Sequence, residues 1–462
     1  MLSTEENELL CRVGPGTPMG AFMREYWLPA FMPSELEADG APMRLRLLGE
    51  NLVAWRNTDG SIGLMQNACP HRGASMFFGR NEENGLRCVY HGWKFDTTGA
   101  CIDMPNEPAE SNFKHKIRAA AYPCVERNNI VWAYMGPRQA PPPLPEWLPN
   151  LDADCQVWMR LQESNWLQAL EGDIDTVHAY FLHSGHVATE NSLPGSDAYF
   201  ISQQREARFE AREHEVGGSY AAVRRAYPGT EYWRMGHYLL PFYTLNAPGL
   251  LGIKNNSLAW VPLDDYNTMV WNVGRQGAMA AETETIGQFK WGYVRQDPVS
   301  PTDPYGTRDA NGILARKFEH TSDWLGRFRP IANQHNDYLI DRELMKKKPG
   351  NTWTYSGLPS IAQDAAVQET MGPIYDRTQE RLGTSDAMII RTRRKLLKEV
   401  RAFQEGTSPS GVDKPELYRM RSGGVVVPEG VNGLDAMADL HFDRVPLAEF
   451  RKRWEAELAA RS

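Results

Sequence analysis

From about Met43 to Met135 apolar and polar positions alternate in short runs: RLRLLGENLVAW, SIGLMQN, GLRCVYHGWKFD, CIDM and NNIVWAYMG. Gly, Asn and Asp separate them, which predicts a small antiparallel β-domain with turns between its strands. GPRQAPPPLPEWLP at 136–149 breaks the pattern and reads as a linker. Beyond it, NWLQALEGDIDTVHAYFLHSGH predicts a helical region. Strands are expected in SYAAVRRAY, YWRMGHYLLPFYTL and TMVWNVGR, and further helices in QDAAVQETMGPIYDR and SDAMIIRTRRKLLKEVRAFQ. The second half is therefore expected to be α+β, a mostly antiparallel sheet with helices packed against it.

Two Cys-His pairs fall between the first strands: Cys69-Pro-His71 and Cys88-Val-Tyr-His91. Two thiolates for one iron and two imidazoles for the other are what a [2Fe–2S] centre of mixed ligation needs, and such centres reach potentials of about −150 to +300 mV. Structural zinc is the alternative for two Cys and two His, but zinc fingers usually pair like with like in close spacing. The surroundings, CPHRGASM and CVYHGWKFD, closely resemble the cluster loops of Rieske proteins. Electron transfer is the first chemistry they point to.

The 462 residues exceed one core and suggest two to three domains, and 42% hydrophobic against 23% charged residues is an ordinary globular balance. A net charge of −8 argues against nucleic acid and anionic membranes as partners. The start MLSTEENELLCRVG lacks a basic then apolar leader, and no apolar run reaches membrane-spanning length. A cytoplasmic location is expected, with Cys11, Cys101, Cys124 and Cys155 reduced and structural.

His178 and His183 form a second constellation, with Asp175 three residues before the first. In an ideal helix, positions five apart diverge by about 140°, so both rings converge only across a π-bulge or a helix end. Two histidines and a carboxylate make the facial triad of non-haem Fe(II) oxygenases. The sequence alone does not separate Asp364 from Asp337 or Asp341 as the carboxylate. No Gly-x-Gly-x-x-Gly nucleotide motif opens a βαβ unit.

With GTPMGAFMREYWLPA, NDYLIDRE and QDAAVQETMGPIYDR, nearly the whole chain resembles Rieske non-haem iron oxygenases, alpha (terminal oxygenase) subunits of the phthalate-dioxygenase-like branch. The resemblance implies an α+β fold: residues 1–25 packing on the catalytic domain, a Rieske β-domain over 26–135, the linker 136–149, and a helix-grip-like catalytic domain over 150–462. It implies a [2Fe–2S] cluster on Cys69, His71, Cys88 and His91, and a mononuclear Fe(II) on His178, His183 and Asp364. It further implies O₂ as cosubstrate, electrons from NAD(P)H through a separate flavin/iron–sulfur reductase, and a homotrimer or hexamer. In such an assembly Asp175 links His178 to a cluster histidine of a neighbouring subunit. Glu171 is either near the same histidine or plainly solvated. The implied reaction is hydroxylation of an aromatic acid, with oxidative O- or N-demethylation as the rival and a pure electron carrier as the reading outside oxygenases. Arg224 and Arg234 are the candidates to grip a substrate acid. His186 and His237 are weaker candidates, more simply structural.

Overall fold

The computed structural model describes residues 2–183, 195, 197–204, 206–247, 251, 256–275, 284–286, 289–291, 318–346, 356–358 and 362–461. Helices α1 (Thr4–Cys11) and α2 (Pro18–Arg24) open the chain. Ser3 caps α1 reciprocally with Glu6, and Thr17 caps α2 ahead of Pro18 at its first position. Leu10, Phe22 and Met23 are fully buried, and Trp166 donates its indole N–H to Leu10 O, so the opening segment packs on the C-terminal half.

Three small antiparallel sheets follow. β1 (Trp27–Phe31) pairs with β10 (Ile130–Tyr134), which pairs with β9 (Cys124–Arg127). β2 (Met43–Leu47), β3 (Glu50–Arg56) and β4 (Ile62–Gln66) form a meander. β5 (Arg80–Asn81), β6 (Leu86–Arg87), β7 (Lys94–Phe95) and β8 (Cys101–Asp103) form the third sheet. The two Cys-His loops leave β4 and join β6 to β7. Each is the same turn: Gly73 N–H donates to Cys69 O and Gly92 N–H to Cys88 O, while Cys69 N–H reaches Ala74 O and Cys88 N–H reaches Trp93 O. Both glycines stand at positive φ, +76° and +78°, where a side chain is strained.

The second half is built on an eight-stranded antiparallel sheet. Its order is β11 (Cys155–Gln162), β17 (Thr268–Arg275), β16 (Asn256–Pro262), β15 (Tyr243–Leu245), β14 (Thr230–Leu239), β13 (Gly217–Arg225) and β12 (Arg208–His214), with β22 (Gly423–Pro428) also paired to β14. α3 (Trp166–Ile174) and α6 (Ala387–Gln404) pack against it, and α5 (Gln363–Glu369) packs on α3. α4 (Asp197–Gln203) covers β13, and α7 (Gly433–Ala436), α8 (Ala438–His441) and α9 (Leu447–Arg461) close the chain. Two further hairpins are β18 (Glu284–Ile286) with β19 (Phe289–Trp291), and β20 (Phe318–Glu319) with β21 (Arg329–Pro330). The principal core is continuous from Leu10 through Trp132 to Trp271 and Leu396, while Trp55, Met76, Leu86 and Phe95 make a separate core under the Cys-His loops.

One expected helix is interrupted. α3 ends at Ile174, Asp175 takes an extended conformation (φ −75°, ψ 117°), and His178 opens a single tight turn. Asp175 therefore meets His178 across a turn, not along a helix face.

Candidate metal centres

At the first site Cys69 and Cys88 are both 3% exposed, and the rings of His71 and His91 lie edge to face with centroids 4.4 Å apart. Trp93 stacks on His71 at 4.4 Å and 14°, holding the ring in one plane. His71 Nδ1 is buried without a hydrogen-bond partner. A buried imidazole nitrogen left bare costs about 1–3 kcal/mol, and coordination by iron removes that cost. Burial pushes the Cys69 thiol up to about 11, and bound iron supplies the charge that keeps it a thiolate. The four residues do not converge on one point. Among the described residues, the group that brings three ligand atoms within 4.8 Å of one another is His178, His183 and Asp364. A single tetrahedral zinc would draw the Cys and His together equally closely. Two buried thiols and two adjacent imidazoles are the donor set that a two-iron cluster of mixed ligation takes.

The second site is built on the junction of α3 and α5. Gln168, on α3, donates from Nε2 to the carbonyls of Gln368 (2.9 Å) and Gly372 (2.8 Å), tying the end of α5 to α3. That places Asp364 in the first turn of α5 opposite the turn after α3. His178 Nε2 lies 3.0 Å from His183 Nε2, and Asp364 oxygens lie 3.5 Å from each. Both Nδ1 atoms are engaged outward. His178 Nδ1 is 3.5 Å from Asp175 Oδ2, whose other oxygen accepts from Val177 N–H. His183 Nδ1 is 2.7 Å from Gln363 Oε1. The Gln363 amide nitrogen donates to Leu358 O and Ser356 Oγ, so its oxygen must face His183 and accept from Nδ1–H. With both Nδ1–H groups directed outward, both Nε2 lone pairs converge with Asp364, as a mononuclear metal ion requires. Burial opposes the Asp364 charge, but the two histidines outweigh it and hold the carboxyl at about 2. The same contest leaves Asp175 below the usual carboxylate range, chiefly through His178.

Several expectations change. Glu171 is neither near His178 nor solvated: it accepts from Arg377 (3.0 and 3.2 Å) and Arg393 (2.5 and 2.9 Å) in a buried ion network that ties α3 to α6. Asp337 and Asp341 are exposed and lie apart from the triad. His237 is fully buried, between Ser219 Oγ and the Arg421 carbonyl, and is structural. His186 lies outside the described residues. Arg224 and Arg234 stand on β13 and β14, both largely buried. Gln363 and Asp173 were not singled out beforehand. Asp173 accepts from Asn246 at 2.9 Å, and burial raises its pKa. Their neighbours in the chain carry the motif, and only folding shows that they share the site.

Comparison with known proteins agrees with this geometry. A Rieske [2Fe-2S] domain model matches residues 26–123, and a model for the LigXa C-terminal domain matches 133–326 and 307–433. The chain is 42% identical to the 3-chlorobenzoate-3,4-dioxygenase oxygenase subunit of Comamonas testosteroni, covering 94% of this chain and 97% of that one. It is 36% identical to the phthalate 4,5-dioxygenase oxygenase subunit of Pseudomonas putida, covering 95% of each. It is 31% identical to the 5,5'-dehydrodivanillate O-demethylase oxygenase subunit of a Sphingobium strain, covering 89% and 84%. In fold it is similar to dicamba monooxygenase, with a TM-score of 0.53 at 15% identity over 84% of this chain and all of that one. Two paired Cys-His turns, a convergent two-histidine, one-carboxylate triad and full-length kinship together make this chain a Rieske non-haem iron oxygenase, an oxygenase subunit with one [2Fe–2S] cluster and one mononuclear iron.

Proposed function

We propose that the chain is the terminal oxygenase of a system that hydroxylates an aromatic acid, using O₂ and NAD(P)H electrons relayed by a separate flavin/iron–sulfur reductase. The observation that carries this reading is the full-length similarity to oxygenase subunits named for 3-chlorobenzoate and phthalate. Two buried arginines, Arg224 and Arg234, in the sheet beside α3 support an acid as substrate. The bound irons supply one-electron transfer and oxygen activation. The chain's own residues hold the ligands in one tautomer and place the substrate beside the half-buried triad.

With both groups bound in a trimer or hexamer, His91 or His71, Asp175 and His178 would form the route for electrons from a neighbouring subunit's cluster to the mononuclear site. Val89 and Tyr90 beside His91 are 58% and 57% exposed, and Val367 and Met371, on α5 and just after it, are 38% and 48% exposed. Apolar rims at both ends of the proposed route support a subunit contact there. No helix among the described residues is long and apolar enough to cross a membrane, and we place the enzyme in the cytoplasm.

Demethylation is the second reading, favoured by the O-demethylase relative. Product analysis separates the two: a cis-diol reports dioxygenation and formaldehyde reports demethylation. The prior test is iron and acid-labile sulfide per chain, with EPR after dithionite reduction. Three irons and two sulfides with a Rieske-type signal are expected. Two of each from fully loaded protein would leave an electron carrier, and zinc without sulfide would remove the oxygenase.

A further inference from the structure

β13 and β14 pair with Tyr220 opposite Gly236, Ala222 opposite Arg234, and Arg224 opposite Tyr232. Strand alternation puts these residues on one face of the sheet. At one end of the face the Tyr220 ring lies across Gly236, next to the Leu245 carbonyl. Asn246, the next residue, holds Asp173 at the end of α3. This end is therefore rich in acids: Asp173, Asp175 and Asp364, set against the two positive charges of a ferrous ion.

The far end carries the guanidiniums, and they are not equivalent. Arg234 has a counter-charge: its Nε lies 3.5 Å from Asp197 Oδ2, and its Nη2 donates to Ala247 O at 3.4 Å. Asp197 also accepts from the Tyr232 hydroxyl. Arg224 has none of this. Its Nε donates to the Gln204 carbonyl at 3.0 Å, while both Nη atoms are buried without a partner among the described residues, and the residue is 2% exposed. Burial, and then the like charge of Arg234, push its pKa below the usual arginine range. A buried cation without a counter-ion is strongly unfavourable, and two parallel N–H donors on one plane match the two oxygens of a carboxylate. The Tyr220 hydroxyl is also buried without a partner, on a residue 3% exposed.

We propose that Arg224 anchors the single carboxylate of a monoanionic aromatic acid, whose ring lies along β13 over Ala222 with its uncharged end toward Tyr220 and the iron ligands. The assignment rests on the aromatic-acid reading above and narrows it. A dianionic acid would set its second carboxylate beside the carboxylates of Asp173 and Asp175, like charges that oppose it. Arg234 is a positioning residue, committed to Asp197 and α4.

Isothermal titration of the iron-loaded enzyme with benzoate, benzamide, phthalate and 3-hydroxybenzoate tests the assignment without turnover. Benzoate is expected to bind at least about tenfold tighter than benzamide or phthalate, the scale of one charge-assisted pair. Arg224→Gln should remove that advantage while iron content and the cluster EPR signal stay as in the wild type. 3-Hydroxybenzoate should bind tighter than benzoate, and Tyr220→Phe should abolish the difference. Phthalate binding as tightly as benzoate, or benzoate binding unchanged in Arg224→Gln, overturns the assignment. The wild-type ligand series decides the point even if the variant fails to fold. If benzamide binds and none of the acids does, the aromatic-acid reading itself is wrong; acids that bind independently of Arg224 overturn only this narrower proposal.

Discussion

Asp175 and Gln363 show how much of the chemistry depends on residues that touch no metal. Each fixes one histidine by its Nδ1, at 3.5 and 2.7 Å, and so directs an Nε2 lone pair into the site. Gln363→Leu should leave the fold intact, because the side chain is buried and similar in size, but lower iron affinity by about 10–100-fold. Metal content after dialysis against a graded chelator reads this directly, and unchanged retention would contradict the orienting role. Asp175→Asn should retain both metals yet slow electron delivery. Single-turnover decay of the reduced cluster is the measurement, and wild-type rates in that variant would remove Asp175 from the route. The nearby acids Asp173 and Glu171 share the same stretch of chain but differ in fate: one accepts from Asn246 beside the sheet, the other from Arg377 and Arg393.

At the scale of elements, the site is a joint between helices that the chain reaches nearly two hundred residues apart. Glu171 on α3, Arg377 after α5 and Arg393 on α6 form one buried ion network, with Arg377 fully buried. Both arginines and Glu171 come out of water to make it, so removing the acid strands Arg377 without a carboxylate, while Arg393 keeps Glu380 at 2.5 and 2.8 Å. Glu171→Ala is expected to cost about 3–5 kcal/mol, read as a lower denaturant midpoint. The twin cluster turns make a second element-level case. Gly73 and Gly92 share a positive φ, but a Cβ on Gly73 meets nothing within 4 Å while one on Gly92 meets Pro105 Cγ at 2.6 Å. Gly92→Ala should therefore lose more cluster absorbance than Gly73→Ala, although their sequence contexts look equivalent. Equal loss would mean that backbone strain alone matters.

The whole molecule depends on charge states that the active site does not explain. His237 and His441 both contact the Arg421 carbonyl, at 2.9 and 2.8 Å, and thereby fasten the C-terminal segment to β14; His214 lies alongside. The titratable and charged groups around them are Lys395 from α6, which carries ion pairs to Glu213 and Glu399, and Arg421 with Asp443. Burial pushes His441 down to about 4, and burial followed by Lys395 does the same to His214. The unfolded chain, with histidine near 6.5, binds more protons than the folded one between those values. Their stabilisation is thus complete above pH about 6.5 and is lost as pH falls toward 4, about 3 kcal/mol for His441 alone. Thermal unfolding at pH 7.5 and pH 5 should show the drop, and His441→Gln should flatten it. Assembly gives a second test at this scale. A cluster-deficient Cys88→Ser subunit co-refolded with an iron-deficient His183→Ala subunit should recover activity that neither has alone. No recovery in mixed oligomers would place electron transfer within one subunit.

The sequence by itself determined the parts with local signatures. Alternating runs marked the strands of the first domain, paired Cys-x-His and Cys-x-x-His turns marked the proposed cluster ligands, and His-x4-His with its acidic neighbour marked the proposed iron site. These are legible because a strand's period, a turn's glycine and a ligand pair are set within a few residues. Only the tertiary structure decided the rest. It chose Asp364 over Asp337 and Asp341 geometrically, ended α3 before His178, drew Glu171 into an ion network, and separated Arg224 from Arg234. Each of those outcomes depends on which distant segment supplies the counter-charge or the hydrogen bond. That pairing is fixed by packing across the sheet and between α3, α5 and α6, which no local pattern encodes.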